Sequence, residues 1–120
     1  MTNDELYERA RDSAAGAYAP YSRFEVGAAV LLRDGRVLTG VNVENASYPL
    51  GMCAERSALA RAVAEGAKPG DVEALAVTAS PCGGCRQWLL EFGVERVLFP
   101  KDGELSVWRP EELLPDSFEL

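Results

Sequence analysis

The sequence has 120 residues, of which 48% are hydrophobic and 26% are charged. This length suits one domain, and the balance is that of a folded globular protein rather than a disordered chain or a coiled coil. Lysine and arginine total 12 against 19 aspartates and glutamates, so the net charge is -7 and a nucleic acid would meet net repulsion. We therefore expect a small-molecule partner and no nucleic acid.

The start of the chain and its cysteine content indicate a compartment. Residues 1–6 are polar and acidic, unlike a signal peptide, and the longest uncharged apolar run, residues 26–32, is too short to cross a membrane. We therefore expect a cytoplasmic protein with no membrane partner. In that reducing compartment an odd number of cysteines, three, favours metal ligands or catalytic thiols over disulfides.

Hydrophobic spacing and turn residues predict helices that alternate with strands. In chain order, the sequence predicts a helix over 4–18 capped by Asn3, a hairpin of strands 24–32 and 37–43, a helix over 53–65, a strand over 72–78, a helix over 82–92, strands 94–99 and 105–108, and a helical turn over 110–114. A hairpin followed by right-handed parallel crossovers predicts an α/β protein, a three-layer α/β/α sandwich with a mixed sheet. No linker divides the chain, so residues 1–120 are predicted to form a single domain.

The sequence contains no histidine, which excludes Ser-His and Cys-His hydrolase sites in their usual forms and any zinc site that needs an imidazole. The cysteines are Cys53, Cys82 and Cys85. Residues three apart on a helix share a face, so the last two can reach one ion. Cys53 then completes the three protein ligands of a catalytic zinc site. Two of the predicted helices start at a cysteine, where the helix dipole stabilises a thiolate.

Glu55 follows Cys53 by two residues, a spacing that places two side chains on opposite sides of a regular helix. Both can face one ion only if Cys53 precedes the helix or is its first residue. Two other interpretations remain open for the cysteines alone. Cys82 and Cys85 could form a thioredoxin-like redox pair, and a lone buried cysteine is usually a small hydrophobic residue.

Taken together, these residues resemble a known family. Cys-Ala-Glu at 53–55 and Pro-Cys-Gly-Gly-Cys at 81–85 are similar to the zinc deaminase signature, His-x-Glu and then Pro-Cys-x-x-Cys, with cysteine at the first ligand. More specifically, the chain resembles the small homotetrameric cytidine deaminases in segments that keep the family's order, residues 18–29, 40–51, 53–56 and 80–87. The resemblance implies one Zn²⁺ per chain, held by the three cysteines, and a homotetramer.

The implied reaction is hydrolytic deamination of cytidine and 2′-deoxycytidine to uridine and 2′-deoxyuridine, with release of ammonia, in pyrimidine salvage. Zinc makes hydroxide available near neutrality for attack at C4, and Glu55 carries the released proton first to N3 and then to the leaving amine. One alternative substrate is another aminopyrimidine nucleoside, such as a blasticidin-like antibiotic. A non-catalytic zinc or redox protein is a second alternative, which Glu55 disfavours because a structural zinc site is closed by four ligands.

Arg56 is expected to offset the negative charge that three thiolates place on a divalent ion, by donating to the cysteine sulfurs. On its own it would be an exposed helix arginine paired with a neighbouring acid. The connection from Ala79 into Ser80 is shorter than the family usually has, so we expect a shorter pocket wall. This difference is expected to affect the range of substrates rather than the reaction.

The resemblance also implies contacts with the substrate. Asn42 and Glu44 would bind the ribose hydroxyls, and the carboxylate would disfavour a nearby phosphate; read alone they are two solvated residues at a strand end. An aromatic such as Phe24, expected against the pyrimidine ring, is more often part of a core. The backbone of Ala54 would contact the base. Two aromatic residues, Tyr48 and Phe118, would reach the site of a neighbouring subunit.

Overall fold

The computed structural model describes residues 1–119, and Leu120 of the predicted domain lies outside them. Its strands are β1 (Gly27–Leu32), β2 (Val37–Val41), β3 (Val72–Val77), β4 (Arg96–Lys101) and β5 (Glu104–Trp108). They form one five-stranded sheet in the order β2-β1-β3-β4-β5. β1 is antiparallel to both β2 and β3, β3 is parallel to β4, and β4 is antiparallel to β5. The sheet is therefore mixed, as the sequence predicts.

The helices are α1 (Asn3–Ser13), α2 (Ala54–Ala64), α3 (Gly83–Glu91) and the short α4 (Pro110–Leu113), with 3-10 turns at Ala14–Gly16 and Tyr48–Leu50. α1 packs on one face of the sheet through Leu6 and Ala10. α2 and α3 pack on the other through a cluster that includes Ala58, Leu59 and Leu89. This arrangement confirms the three-layer α/β/α prediction. Within residues 1–119, no helix is both long enough and apolar enough to cross a membrane.

The first helix differs from the prediction at both ends. Its N-cap is Thr2 rather than Asn3, because the Thr2 hydroxyl accepts from Glu5 N at 3.1 Å while the Glu5 carboxylate accepts from Thr2 N at 2.8 Å, a reciprocal capping box. The α-helix ends at Ser13 and a tighter 3-10 turn follows. The apolar stripe that predicted a longer helix continues through that turn without being α-helical.

The first strand begins at Gly27, three residues later than predicted. The reason lies in the side chain of Asn42, whose Oδ1 accepts from Val26 N at 2.8 Å and whose Nδ2 donates to Phe24 O at 2.9 Å. These backbone groups are therefore bonded by a side chain instead of a neighbouring strand. The segment before β1 is consequently a loop that is held in place by the Asn42 side chain.

Gly40 brings β2 into backbone contact with α2. A Cβ atom built on Gly40 would lie 2.3 Å from Ala58 N and 2.8 Å from Ala54 O, separations that no real side chain tolerates. Only glycine fits where two backbones approach this closely. The position of the first turn of α2 relative to the sheet is fixed by this contact.

Candidate active site

Two helices begin at cysteines on the same side of the molecule. Cys53 is the N-cap of α2 and Cys82 is the N-cap of α3, both with extended backbone. Cys85 is the third residue of α3 and is fully buried. Because Cys53 stands just before α2, its side chain does not follow the helical progression, and the condition for Cys53 and Glu55 to face one ion is met. Both helices direct the positive ends of their dipoles at the sulfurs.

The three sulfur atoms form a compact cluster. Their Sγ atoms all lie within 4.8 Å of one another, and the Sγ atoms of Cys53 and Cys82 are 3.8 Å apart. Tetrahedral zinc with Zn–S bonds of about 2.3 Å holds its sulfur ligands about 3.8 Å apart. Since the sequence offers no fourth cysteine and no histidine, three sulfurs leave one coordination position for water. The donor set therefore fits a catalytic zinc ion.

Arg56 contacts this cluster from the first turn of α2. Its Nη2 donates to Cys53 Sγ at 3.4 Å, and that hydrogen bond raises the pKa of the guanidinium. Its Nε is buried and has no hydrogen-bond partner among residues 1–119. A permanent positive charge thus lies against a sulfur that would be a thiolate in a zinc complex.

Glu55 is the buried acidic residue of the site, with 4% of its surface exposed. Burial raises the pKa of its carboxyl group, although a hydrogen bond with the Cys85 thiol acts in the opposite direction. Burial and the nearby charge of Glu55 together raise the pKa of Cys85. For Cys82, burial opposes ionisation, but hydrogen bonds from the backbone amide and side chain of Cys85 lower its pKa. A divalent cation would provide the counter-charge that the buried Cys85 sulfur lacks.

A cavity of about 690 Å³ opens beside the cluster. It has the size of a small-molecule site. Residues from the loop after β2, from the turn before β1 and from both cysteine-capped helices line it, among them Ser22, Asn42, Glu44, Tyr48, Arg56 and Cys82. The structure therefore brings the cysteine cluster together with three of the residues expected to contact the substrate.

The other expected substrate contacts lie in different places. Ala54 is buried in the first turn of α2, next to Cys53. Phe24 is 61% exposed and is not part of the cavity lining. Phe118 is 75% exposed and lies beside Gln87 and Leu90 of α3. A single chain does not bring these two aromatic rings to the cavity.

Two further side chains that the sequence does not single out shape the site. Ser22 lines the cavity and bonds the carboxylate of Glu44. Arg86 donates to Pro81 O at 2.9 Å, to Leu113 O at 2.9 Å and to Ser80 Oγ at 3.2 Å, so it ties the turn before Cys82 to α4. Both residues lie inside segments that resemble the deaminases, but Glu44, the partner of Ser22, and Leu113, one of the partners of Arg86, are remote in sequence.

Comparison with known proteins agrees with this geometry. The family model for the cytidine and deoxycytidylate deaminase zinc-binding region matches residues 1–101. The chain belongs to this family. The family is a zinc-binding one, and the three sulfurs of this chain are spaced to hold one ion, so the chain binds one Zn²⁺.

Individual relatives extend the match over nearly the whole chain. A cytidine deaminase from Halalkalibacterium halodurans is 44% identical over an alignment that covers 98% of this chain and 95% of that protein. One from Mycobacterium tuberculosis (strain H37Rv) is 48% identical, with 96% and 88% covered. The crystal structure of a cytidine deaminase from Burkholderia pseudomallei superposes with a TM-score of 0.91 at 44% identity and covers 98% of this chain and 100% of that chain. The resemblance inferred from the motifs is confirmed.

Proposed function

We propose that this protein deaminates cytidine and 2′-deoxycytidine hydrolytically to uridine and 2′-deoxyuridine, releasing ammonia. The observation that carries the proposal is a cluster of three sulfurs, two of which belong to residues that line a cavity of nucleoside size. The buried carboxylate of Glu55 is hydrogen-bonded to the third cysteine, Cys85. The relatives named cytidine deaminase, at 44% and 48% identity, support the same activity.

We assign the metal to Cys53, Cys82 and Cys85. When bound there, zinc supplies Lewis acidity that makes a water molecule nucleophilic near neutral pH. Glu55 would take one proton from the attacking water and deliver it to N3 of the pyrimidine ring. It would then take the proton of the new hydroxyl on C4 and pass it to the leaving amine, so that the carboxylate is regenerated as ammonia departs. Burial keeps bulk water from competing for the proton that Glu55 holds.

The cavity lining supports a nucleoside substrate. We assign Asn42 and Glu44 to the sugar hydroxyls and the backbone of Ala54 to the base. The Glu44 carboxylate would repel a nearby phosphate, which favours a nucleoside over a nucleotide. Phe24 is proposed to cover the pyrimidine ring, and this requires its exposed side chain to turn toward the cavity when the substrate binds.

Ammonia release tests the proposed function directly. The zinc-loaded protein is expected to release one ammonia for each uridine formed from cytidine and for each 2′-deoxyuridine formed from 2′-deoxycytidine. Chelation of the metal is expected to stop the reaction until zinc is restored. A protein that binds one zinc per chain and leaves both substrates intact would contradict the proposal. The short connection from β3 to Cys82 would then point to other aminopyrimidine nucleosides as substrates.

Replacing Arg56 with alanine is expected to leave the fold intact and to weaken zinc binding by about 10–100-fold. The reason is that Arg56 Nη2 contacts Cys53 Sγ and offsets the excess negative charge of three thiolates. The measurement is competition for zinc against a chromophoric chelator. Arg61→Ala, on the same helix but in an exposed pair with Glu65, is the control. Unchanged zinc affinity and turnover in Arg56→Ala would contradict charge compensation.

We propose that residues 1–120 form a single domain that works in the cytoplasm in pyrimidine salvage. A reducing compartment favours a site of three thiolates, since oxidation would pair the sulfurs and release the metal. Uridine and 2′-deoxyuridine are products that re-enter the pyrimidine nucleoside pool.

We also propose that the chain forms a homotetramer in which Phe118 reaches a neighbouring site and Tyr48, which lines the cavity of its own chain, also extends toward a neighbouring site. Tyr48 is 92% exposed, and an apolar groove of about 500 Å³ runs between α2 and α3, lined by Ala60, Val63, Trp88 and Phe92. Exposed apolar surface of this kind is typical of protein interfaces.

The native protein is expected to elute as a tetramer, and Val63→Lys is expected to dissociate it because Val63 lies in the apolar groove. Size-exclusion chromatography with light scattering measures the mass. Val107→Lys, which alters an exposed valine on β5, is expected to remain tetrameric. A monomer that still turns over cytidine would contradict shared sites.

A further inference from the structure

The turn at residues 19–23, before β1, is bonded to the loop after β2 by the side chain of Glu44. In this turn Arg23 N donates to Ala19 O at 3.0 Å, so residues 19–23 form a single helical turn whose inner amides have no partner within it. Two of those amides, Tyr21 N and Ser22 N, donate to Glu44 Oε1 at 2.9 and 3.1 Å. The turn therefore presents its free N–H groups to a carboxylate from another part of the chain.

Ser22 bonds both Glu44 and the loop that carries Phe24. Its hydroxyl donates to Glu44 Oε2 and accepts from Phe24 N at 3.0 Å. Between Ser22 and Phe24, Arg23 has a φ of 59°, a left-handed conformation that residues with side chains rarely adopt. The hydrogen bonds of Ser22 and Phe24 hold the left-handed backbone of Arg23 in place. Ser22 therefore connects Glu44 rigidly to the loop that carries Phe24.

Counting acceptor positions shows what Glu44 has left for a ligand. An ionised carboxylate offers about four lone-pair positions, two on each oxygen. The hydrogen bonds from the Ser22 hydroxyl and amide, and from Tyr21 N, hold the pKa of Glu44 below its usual range, so the group is ionised. Oε1 already accepts two amides and Oε2 accepts one hydroxyl. One acceptor position remains, on Oε2.

Asn42 has one unused donor, which complements the unused acceptor position of Glu44. Its Oδ1 accepts from Val26 N and its Nδ2 donates to Phe24 O, so one N–H of its amide remains free to donate. Asn42 and Glu44 both line the cavity. Together they offer one donor and one acceptor, which is the pattern that a single hydroxyl satisfies, because a hydroxyl accepts and donates at once.

We propose that Ser22 is a positioning residue for sugar recognition: its hydroxyl fixes Oε2 of Glu44 so that Glu44 and Asn42 together bind the 3′-hydroxyl of the nucleoside. This hydroxyl is the secondary one that cytidine and 2′-deoxycytidine share. The two amides alone anchor only Oε1, about which the carboxylate can pivot. The Ser22 hydroxyl sets the plane of the carboxylate, and hence the direction of its free acceptor position. The inference rests on the proposed deaminase function.

The test compares two substrates that differ only in the 3′-hydroxyl. Ser22→Ala is expected to raise KM for 2′-deoxycytidine about tenfold and to leave kcat within about twofold, since it weakens binding that is common to ground state and transition state. For 2′,3′-dideoxycytidine, measured by turnover or as a competitive inhibitor, the same variant is expected to show no change. An equal loss for both compounds would overturn the proposal, because it would indicate a general loosening of the turn.

Three further variants sharpen the result. Ser22→Thr keeps the hydroxyl and is expected to retain native KM values. Ser13→Ala removes a serine hydroxyl that donates to Ala10 O at 2.7 Å on α1, on the other face of the sheet, and is expected to have no effect. In a Glu44→Gln background, Ser22→Ala is expected to add less than about a twofold change. A full additional tenfold loss there would overturn the proposal.

The failure of this inference differs from failure of the proposed function. If the wild-type protein releases no ammonia from 2′-deoxycytidine, the deaminase proposal itself is wrong. If the wild type is active and Ser22→Ala binds both compounds with native constants, only the role of Ser22 is wrong.

Discussion

Replacing Glu55 with glutamine is expected to lower kcat for cytidine by about a thousandfold while one zinc per chain is retained. Glutamine has nearly the same shape as glutamate, but its amide cannot take up a proton and return it. The substitution also keeps all three sulfur ligands, because Glu55 is not one of the clustered residues. Steady-state ammonia release gives kcat, and metal analysis of the same sample gives the zinc content.

The matched control for this experiment is Glu65→Gln. Glu65 lies at the other end of α2 in an exposed pair with Arg61, so its replacement changes the charge equally and is expected to have little effect. Native turnover in Glu55→Gln would show that another group moves the proton. Loss of zinc from Glu55→Gln would instead show that the carboxylate serves to retain the metal.

The core of the candidate site was predictable because its chemistry is encoded over short distances. Cys-Ala-Glu at 53–55 and Cys-Gly-Gly-Cys at 82–85 place their side chains by local helix geometry. The one requirement that the spacing imposed, a cysteine just before the second helix, is met by the N-cap position of Cys53. The sequence does not reveal by itself that two N-caps 29 residues apart meet, since this depends on how the sheet aligns α2 and α3.

What the sequence did not predict depends on contacts between remote residues. The strand expected from residue 24 starts at Gly27 because Asn42 bonds the preceding backbone. An apolar run indicates burial, but it does not indicate whether a strand or a side chain takes up the backbone groups. The hydrogen bond between Ser22 and Glu44 was not predicted for the same reason, since the two residues lie 22 positions apart.

The positions of Phe24 and Phe118 show a different limit. Resemblance assigns both rings to a substrate site, yet both are exposed in the single chain. Sequence similarity carries a residue's role without stating which subunit supplies it. The proposed tetramer would explain the position of Phe118, whereas Phe24 is proposed to turn toward the cavity of its own chain, which Asn42 and Glu44 line.

Gly40→Ala is expected to destabilise the protein by about 3 kcal/mol and to disturb the site at the same time. The added Cβ would lie 2.3 Å from Ala58 N, 2.7 Å from Ala58 Cα and 2.8 Å from Ala54 O. All three atoms belong to the backbone of α2, so no side chain can rotate away, and the helix must move off the sheet. Because Cys53 and Glu55 are attached to the first turn of that helix, zinc affinity and turnover are expected to fall together with stability.

Denaturant unfolding at a fixed zinc concentration measures the change in the free energy of unfolding. Gly16→Ala is the matched control, since a Cβ at Gly16 has no atom within 4 Å and is expected to change stability by less than about 0.5 kcal/mol. Native stability in Gly40→Ala would mean that α2 can shift without loss of packing. Lost stability with native zinc affinity would mean that the cysteine cluster is held by α3 and its own loop. The contact between β2 and α2 would then contribute to stability without positioning the zinc ligands.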